Sequence, residues 1–196
     1  MFPFKRRIKA ILLIIVVCIM FFESCDPGIV DPQEEGKELQ ITFHRQNTSV
    51  WCWAATIAMV VEYTKGTPIE DCQVLSLYDA SLGGFGLCCQ FPQGCIRGGQ
   101  LWEMAYIMES LFGVVGEYWP SYLSFSQIQQ NINNGYPMIA SLSTGYSGHV
   151  VVLSGYASPD IVIVLDPIYG RYKVNYSTLL QNWQYGTWIA TFIIYY

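Results

Sequence analysis

The sequence predicts an α+β domain with its helices first and its strands last, and three features of the 196 residues carry that expectation. Apolar residues recur at helical spacing before residue 112. From 137 onward, short runs rich in β-branched and aromatic residues replace them. Between 83 and 99 lies a stretch so rich in glycine and cysteine that no regular element fits it. The composition is 52% hydrophobic, 15% aromatic and 13% charged, which excludes a disordered chain. A formal charge of −5 gives no electrostatic claim on phosphates, so nucleic acid is not an expected partner. The length suits one domain with a core of its own.

Taken in order, Cys52 opens a segment, Trp53-Ala54-Ala55-Thr56-Ile57-Ala58-Met59-Val60-Val61, that is apolar nearly all round. It reads as a buried helix ending near Tyr63, before Lys65-Gly66. Residues 69–79 read as a second, shorter helix. Over 100–112, apolar residues at 101, 104, 105, 108 and 111 give a third, closed by Gly113. Residues 124–133 form a fourth, capped by Ser124 or Ser126 and ended by Asn134-Gly135. Strands are expected at 137–143, 149–156, 161–165, 171–175 and 187–195, with a short helix near 177–183.

The N-terminus reads as an export signal. Lys5, Arg6, Arg7 and Lys9 precede thirteen unbroken apolar residues, 10–22, which is signal-peptide length and too short to span a bilayer. Phe22-Glu23-Ser24-Cys25 follows and resembles the cleavage box of bacterial lipoproteins, in which the cysteine is lipid-modified. Glu23 and Phe22 depart from the strict box, and an uncleaved anchor or an ordinary secretory signal are the alternatives. On this reading residues 1–24 are the signal, 25–40 an acidic tether and 41–196 the working domain. Removing 1–24 takes away four basic residues and Glu23, leaving six positive against fourteen negative, or −8. The chain is expected to be exported, touching a membrane only through lipid on Cys25, and to act as a monomer.

Seven cysteines are many for this length. Cys18 lies within the signal and Cys25 is the lipidation candidate. Export implies an oxidising compartment, in which the other five pair where they can. Cys88 and Cys89 are neighbours, and a bridge between them strains the backbone. Cys72 is therefore expected to pair with one of them and Cys95 with the other, which leaves Cys52 unpaired.

Cys52 is also where a thiolate is favoured, at the first turn of a helix with its unsatisfied amides. A thiolate nucleophile needs a base, and the chain has two histidines. His44 precedes Cys52 by eight residues in a loop; His149 opens a strand behind Gly148, which leaves the ring room, and is the better candidate. Antiparallel pairing of 149–156 with 161–165 brings Asp166, the end of an otherwise apolar strand, towards the level of His149, where it can orient the imidazole. The alternatives are an edge-capping histidine and a turn-starting Asp-Pro. Gln46 sits on the loop entering the helix, where its amide and the Cys52 N–H can serve one oxyanion.

Together, Gln46-Asn-Thr-Ser-Val-Trp-Cys52-Trp53-Ala54, then Gly148-His149-Val-Val-Val-Leu-Ser-Gly155-Tyr156 and Asp166-Pro167, resemble the two halves of the site of papain-like cysteine peptidases. The aspartate makes the chain more similar to the bacterial double-glycine-leader peptidases and plant-pathogen effector proteases of that superfamily. So does the segment Asn134-Gly135-Tyr136-Pro137-Met138-Ile139-Ala140. The resemblance spans about residues 40–196. It implies a papain-like fold and a peptidase whose nucleophile is Cys52, base His149, orienter Asp166 and oxyanion donor Gln46. It further implies that Gly98 and Gly99, after Cys95-Ile-Arg, pair with the substrate backbone beside Trp53 and Gly148; the alternative there is a turn bounded by a disulfide. Trp183 is a candidate cover for the His–Asp pair. The cysteine cluster at 72–95 is not the papain arrangement, so that cleft wall is expected to differ. The tether is too short to be an inhibitory pro-segment.

The expected activity is hydrolysis of peptide bonds in a peptide or protein substrate, without metal or organic cofactor. The competing readings are a thiol acyltransferase or amidase using the same residues, such as a transpeptidase, deamidase or cell-wall amidase, and a catalytically idle surface lipoprotein that binds peptide.

Overall fold

The computed structural model describes residues 36–181 and 186–196. Its centre is a seven-stranded antiparallel sheet, with β2 (Val115–Trp119), β7 (Thr187–Tyr195), β3 (Met138–Ser143), β4 (Gly148–Ala157), β5 (Ile161–Asp166) and β6 (Gly170–Asn175) side by side in that order. β1 (Gly36–Glu38) adds to the far end of β4, Gly36 facing Ala157 and Glu38 facing Gly155. The helices are α1 (Cys52–Lys65), α2 (Asp71–Ser81), α3 (Leu101–Phe112), α4 (Phe125–Asn133) and α5 (Tyr176–Gln181).

The sheet is covered on both faces, which is why its central strands read as continuous apolar runs rather than alternating ones. Ile139, Val150, Val152, Leu165 and Phe192 pack with α1, α2 and α3. Met138, Ala140, Val151, Leu153 and Val164 point the other way, against Ile128 and Ile132 of α4 and Leu179 of α5. α1 is buried from Trp53 through Val61, so its lack of a polar face follows from its place in the core.

The helix ends follow local rules. Capping boxes start α2 (Glu70 with Gln73), α3 (Gln100 with Glu103) and α4 (Ser124 with Gln127). Gly66 and Gly113 end α1 and α3 in the left-handed conformation, at φ 66° and 62°. α1 starts differently: Trp51 precedes Cys52 and no side chain caps the first turn.

The α+β class, the helices and the C-terminal strands agree with the sequence reading, and the segment 83–99 is irregular apart from a 3-10 turn, Pro92–Cys95. Two strands were not anticipated. β2 is mostly exposed and pairs with β7, so its sequence has no apolar alternation to reveal it. β1 falls within the residues assigned to the tether. It corrects that boundary: Glu38 is half-buried, Leu39 is buried, and the Leu39 N–H donates to Ser154 O at 2.8 Å. Gly155 makes this possible, since a Cβ there would lie 2.6 Å from Lys37 O. Residues 1–24, Cys25 and most of the tether, along with Trp183, lie outside the described residues.

Candidate active site

Cys52 begins α1, half-buried, and is the free cysteine among the described residues. The other four form two bridges, Cys72–Cys89 and Cys88–Cys95, which decides the pairing that the sequence left open. With no capping side chain ahead of it, the first turn of α1 keeps its backbone N–H groups and positive dipole end for a negative charge at this cysteine.

His149, near the start of β4, is 5% exposed, and Asp166, ending β5, is fully buried. The His149 Nε2–H donates to Asp166 Oδ1 at 3.1 Å. The same oxygen accepts from Ile168 N at 2.7 Å and Tyr169 N at 3.4 Å, so the turn after β5 orients the carboxylate that orients the ring. Asp166 Oδ2 has no hydrogen-bond partner. With Nε2 taken, Nδ1 is the ring nitrogen left for Cys52. Burial works against a charged His149 ring, yet hydrogen bonds to Asp166 and Cys52, with the attraction of both, push its pKa up to about 9.

Cys52, Trp53, Gly98, Gly99, Gly148 and His149 line one cavity of about 560 Å³. Tryptophans on both sides of the nucleophile hold the opposing wall: Trp51 Nε1 donates to Cys95 O at 3.2 Å and Trp53 Nε1 to Arg97 O at 3.1 Å. Gly99 lies against the Trp53 indole so closely that a Cβ would be 2.5 Å from Cδ2. Gly98 has nothing within 4 Å of the place its Cβ would take. At Gly148 a Cβ would meet only Leu142 O, at 3.7 Å, so that glycine leaves open cleft rather than permitting a close approach.

Two buried carboxylates in this neighbourhood were not singled out from the sequence. Glu103 accepts from Arg97, from the Tyr78 hydroxyl at 3.2 Å and from Gln100 N at 2.9 Å, and the Arg97 guanidinium sits 5.0 Å from the Tyr78 ring centre. Burial opposes charge on Glu103; the Gln100 amide, Arg97 and Tyr78 outweigh it and hold its pKa below the usual carboxylate value. This cluster fixes both sides of Gly98–Gly99. Asp71 accepts from Asn47 N at 2.7 Å and Nδ2 at 2.5 Å, holding the loop that carries Gln46. The capping box Gln100-x-x-Glu103 was the available signal for the first; the second has none, because Asn47 and Asp71 are far apart in sequence.

Gln46 is placed less directly. It is absent from the lining of the Cys52 cavity; its Nε2 donates to Thr48 O at 2.6 Å and its Oε1 is buried without a partner. His44 does not join the site: its Nε2 bonds Glu62 Oε2 at 2.7 Å.

The sequence profile described as the Peptidase_C39 like family matches residues 38–190. The chain belongs to that family. Its fold is shared with solved peptidases. Against a double glycine motif protease from an AMS/PCAT transporter, solved in complex with the leader peptide, the TM-score is 0.52 at 18% identity, covering 81% of this chain and 94% of that one. Against a putative C39-like peptidase from Bacillus anthracis it is 0.54 at 12% identity, covering 83% and 98%. No curated protein matches the sequence. The papain-like superfamily and the α+β architecture expected from the motifs are therefore established, and with them membership of a family of cysteine peptidases.

Proposed function

We propose that this protein is an exported cysteine peptidase, anchored by lipid on Cys25, that hydrolyses peptide bonds at Cys52. The observation that carries the reading is the buried His149, hydrogen-bonded on one side to Asp166 and on the other to Cys52, with its pKa raised to about 9. In this mechanism the Cys52 thiolate attacks the peptide carbonyl while His149 Nδ1 holds the proton. The Cys52 N–H and the second N–H of the Gln46 amide stabilise the oxyanion. His149 then gives its proton to the departing amine and, as base, activates the water that releases the acyl group. Asp166 keeps the ring in place throughout. The basic-then-apolar N-terminus, Ser24-Cys25 and the two disulfides support export.

The test is product analysis on a peptide set, with and without an added amine. Hydrolysis yields fragments with free carboxylates whether or not amine is present. Amine adducts in place of free carboxylates would make the protein an acyltransferase, and no turnover of any peptide would remove the reading. Lipid on Cys25 is checked separately, by incorporation of labelled fatty acid that Cys25→Ala abolishes.

A further inference from the structure

Six lysine and arginine side chains lie among the described residues. Lys37 Nζ donates to Asn133 O at 2.9 Å and Lys65 Nζ to Gly113 O at 2.8 Å. Arg97 pairs with Glu103 and Arg171 with Glu38, and Lys173 is engaged as well. Of these six, Arg45 alone is exposed with no side-chain hydrogen bond or ion pair.

Its surroundings give that freedom a use. Arg45 lines a groove of about 350 Å³ together with Gln46, Thr48, Pro167, Ser49 and Ile168. Ser49 and Ile168 also line the Cys52 cavity, so the two depressions adjoin at these residues. Gly98 and Gly99 belong to the Cys52 cavity only. A peptide laid across Cys52 with one flank on Gly98–Gly99 carries its other flank past Ser49 and Ile168 into the Arg45 groove. The groove is pre-built: Gln46 N donates to Pro167 O at 3.0 Å and Asn47 is gripped by Asp71, so the backbone beside Arg45 is fixed while its guanidinium is not. The acids that contact residues 44–47 of this loop are engaged there, Glu62 and Glu70 by His44 and Asp71 by Asn47. On a chain with more acids than bases, an unpaired guanidinium in a groove adjoining the Cys52 cavity is a local exception to the prevailing field. Its planar fork suits a carboxylate.

We propose that Arg45 reads a carboxylate on the substrate flank opposite Gly98–Gly99, so that the preferred substrates carry an acidic side chain, or the chain's own terminal carboxylate, just beyond the scissile bond on that side. This rests on the peptidase reading and adds a substrate class to it.

The test uses the full chain and a neutral parent peptide varied on that flank: Asp, Ala or Lys with an amidated end, and Ala with a free terminal carboxylate. Binding is measured by fluorescence anisotropy on Cys52→Ala, which needs no turnover, and kcat/KM on the unsubstituted protein. Binding to Cys52→Ala is expected to favour Asp over Lys by about three- to tenfold at low salt, narrowing as salt is added. Arg45→Glu added to Cys52→Ala reverses the order, and Arg45→Lys keeps it with a smaller ratio. Preference for the free-end Ala peptide over its amide assigns the terminal carboxylate; preference for amidated Asp assigns the side chain. Equal binding of Asp and Lys, an order unchanged by Arg45→Glu, or no binding of any peptide overturns the proposal. Arg45-dependent binding without hydrolysis would remove the peptidase reading and leave the carboxylate site standing; hydrolysis indifferent to charge would do the reverse.

Discussion

The two walls of the Cys52 cavity are held by different forces. The wall bearing His149 is sheet: β4 is paired on both sides and Asp166 ends the next strand, so backbone register sets where these side chains stand. The facing wall, from Cys88 to Leu101, has one short turn of 3-10 helix and no ladder. Side chains hold it instead: two disulfides, the indole N–H groups of Trp51 and Trp53, and the Arg97–Glu103–Tyr78 cluster. The sheet wall supplies the proton chemistry and is insulated from single changes by its many backbone bonds. The loop wall supplies the substrate surface and depends on a few residues, each of which can be removed.

That contrast orders the expected effects of substitution. On the sheet wall, His149→Ala removes base and acid together, and kcat/KM for a fluorogenic peptide is expected to fall by about 10³-fold or more while circular dichroism is unchanged. Asp166→Asn sharpens the same point through pH. With the ring pKa near 9, His149 keeps the proton needed by the leaving amine until the pH rises through about 9, where kcat/KM declines. Because the folded pKa is raised, the stability it contributes is complete below the ordinary histidine pKa and is likewise lost as pH rises through about 9. Asp166→Asn is expected to move the alkaline limb to lower pH; a limb that stays in place would mean Asp166 does not set it.

On the loop wall, Gly99→Ala drives a methyl into an indole pinned by its own hydrogen bond. It is expected to cost about 1–3 kcal/mol in urea unfolding and to raise KM, whereas Gly98→Ala, with open space around it, leaves the midpoint in place. Equal midpoints for the two variants would show that Trp53 does not hold this wall. Breaking Cys88–Cys95 by paired serine substitution is expected to cost about 2–3 kcal/mol, a short loop contributing less than a long one. The smallest effect belongs far from either wall: Arg171→Ala removes an exposed pair with Glu38 and is expected to change stability by less than about 1 kcal/mol.

The same contrast accounts for what the sequence made legible. His149 and Asp166 could be brought towards each other in advance because the intervening turn is short, but spacing alone sets Asp166 opposite Val152, on the other face. The register shift between Leu153 and Gly155, which the sequence does not signal, returns it to the face of His149. Cys52 was legible from the apolar run behind it and from the arithmetic of the other cysteines. The loop wall was not, because its order comes from contacts between Trp51 and Cys95, or Trp53 and Arg97, that no local period encodes. β1 was obscured by its acidic neighbours: Glu34, Glu35 and Glu38 read as solvated tether, although Gly155 on β4 leaves the space into which Lys37 and Glu38 dock. The bond from the Gln46 amide to Thr48 O could not be foreseen from a loop of polar residues.

The central claim is that His149 makes Cys52 a nucleophile. The most direct measurement is the rate at which a thiol-directed epoxide labels Cys52 near neutral pH, in the full chain and in His149→Ala, with labelled residues identified by peptide mapping. The account predicts labelling at Cys52 much faster than of an exposed control thiol, and a fall to the control rate in His149→Ala. Labelling at the control rate in the unsubstituted protein, or a rate that His149→Ala leaves unchanged, would contradict it.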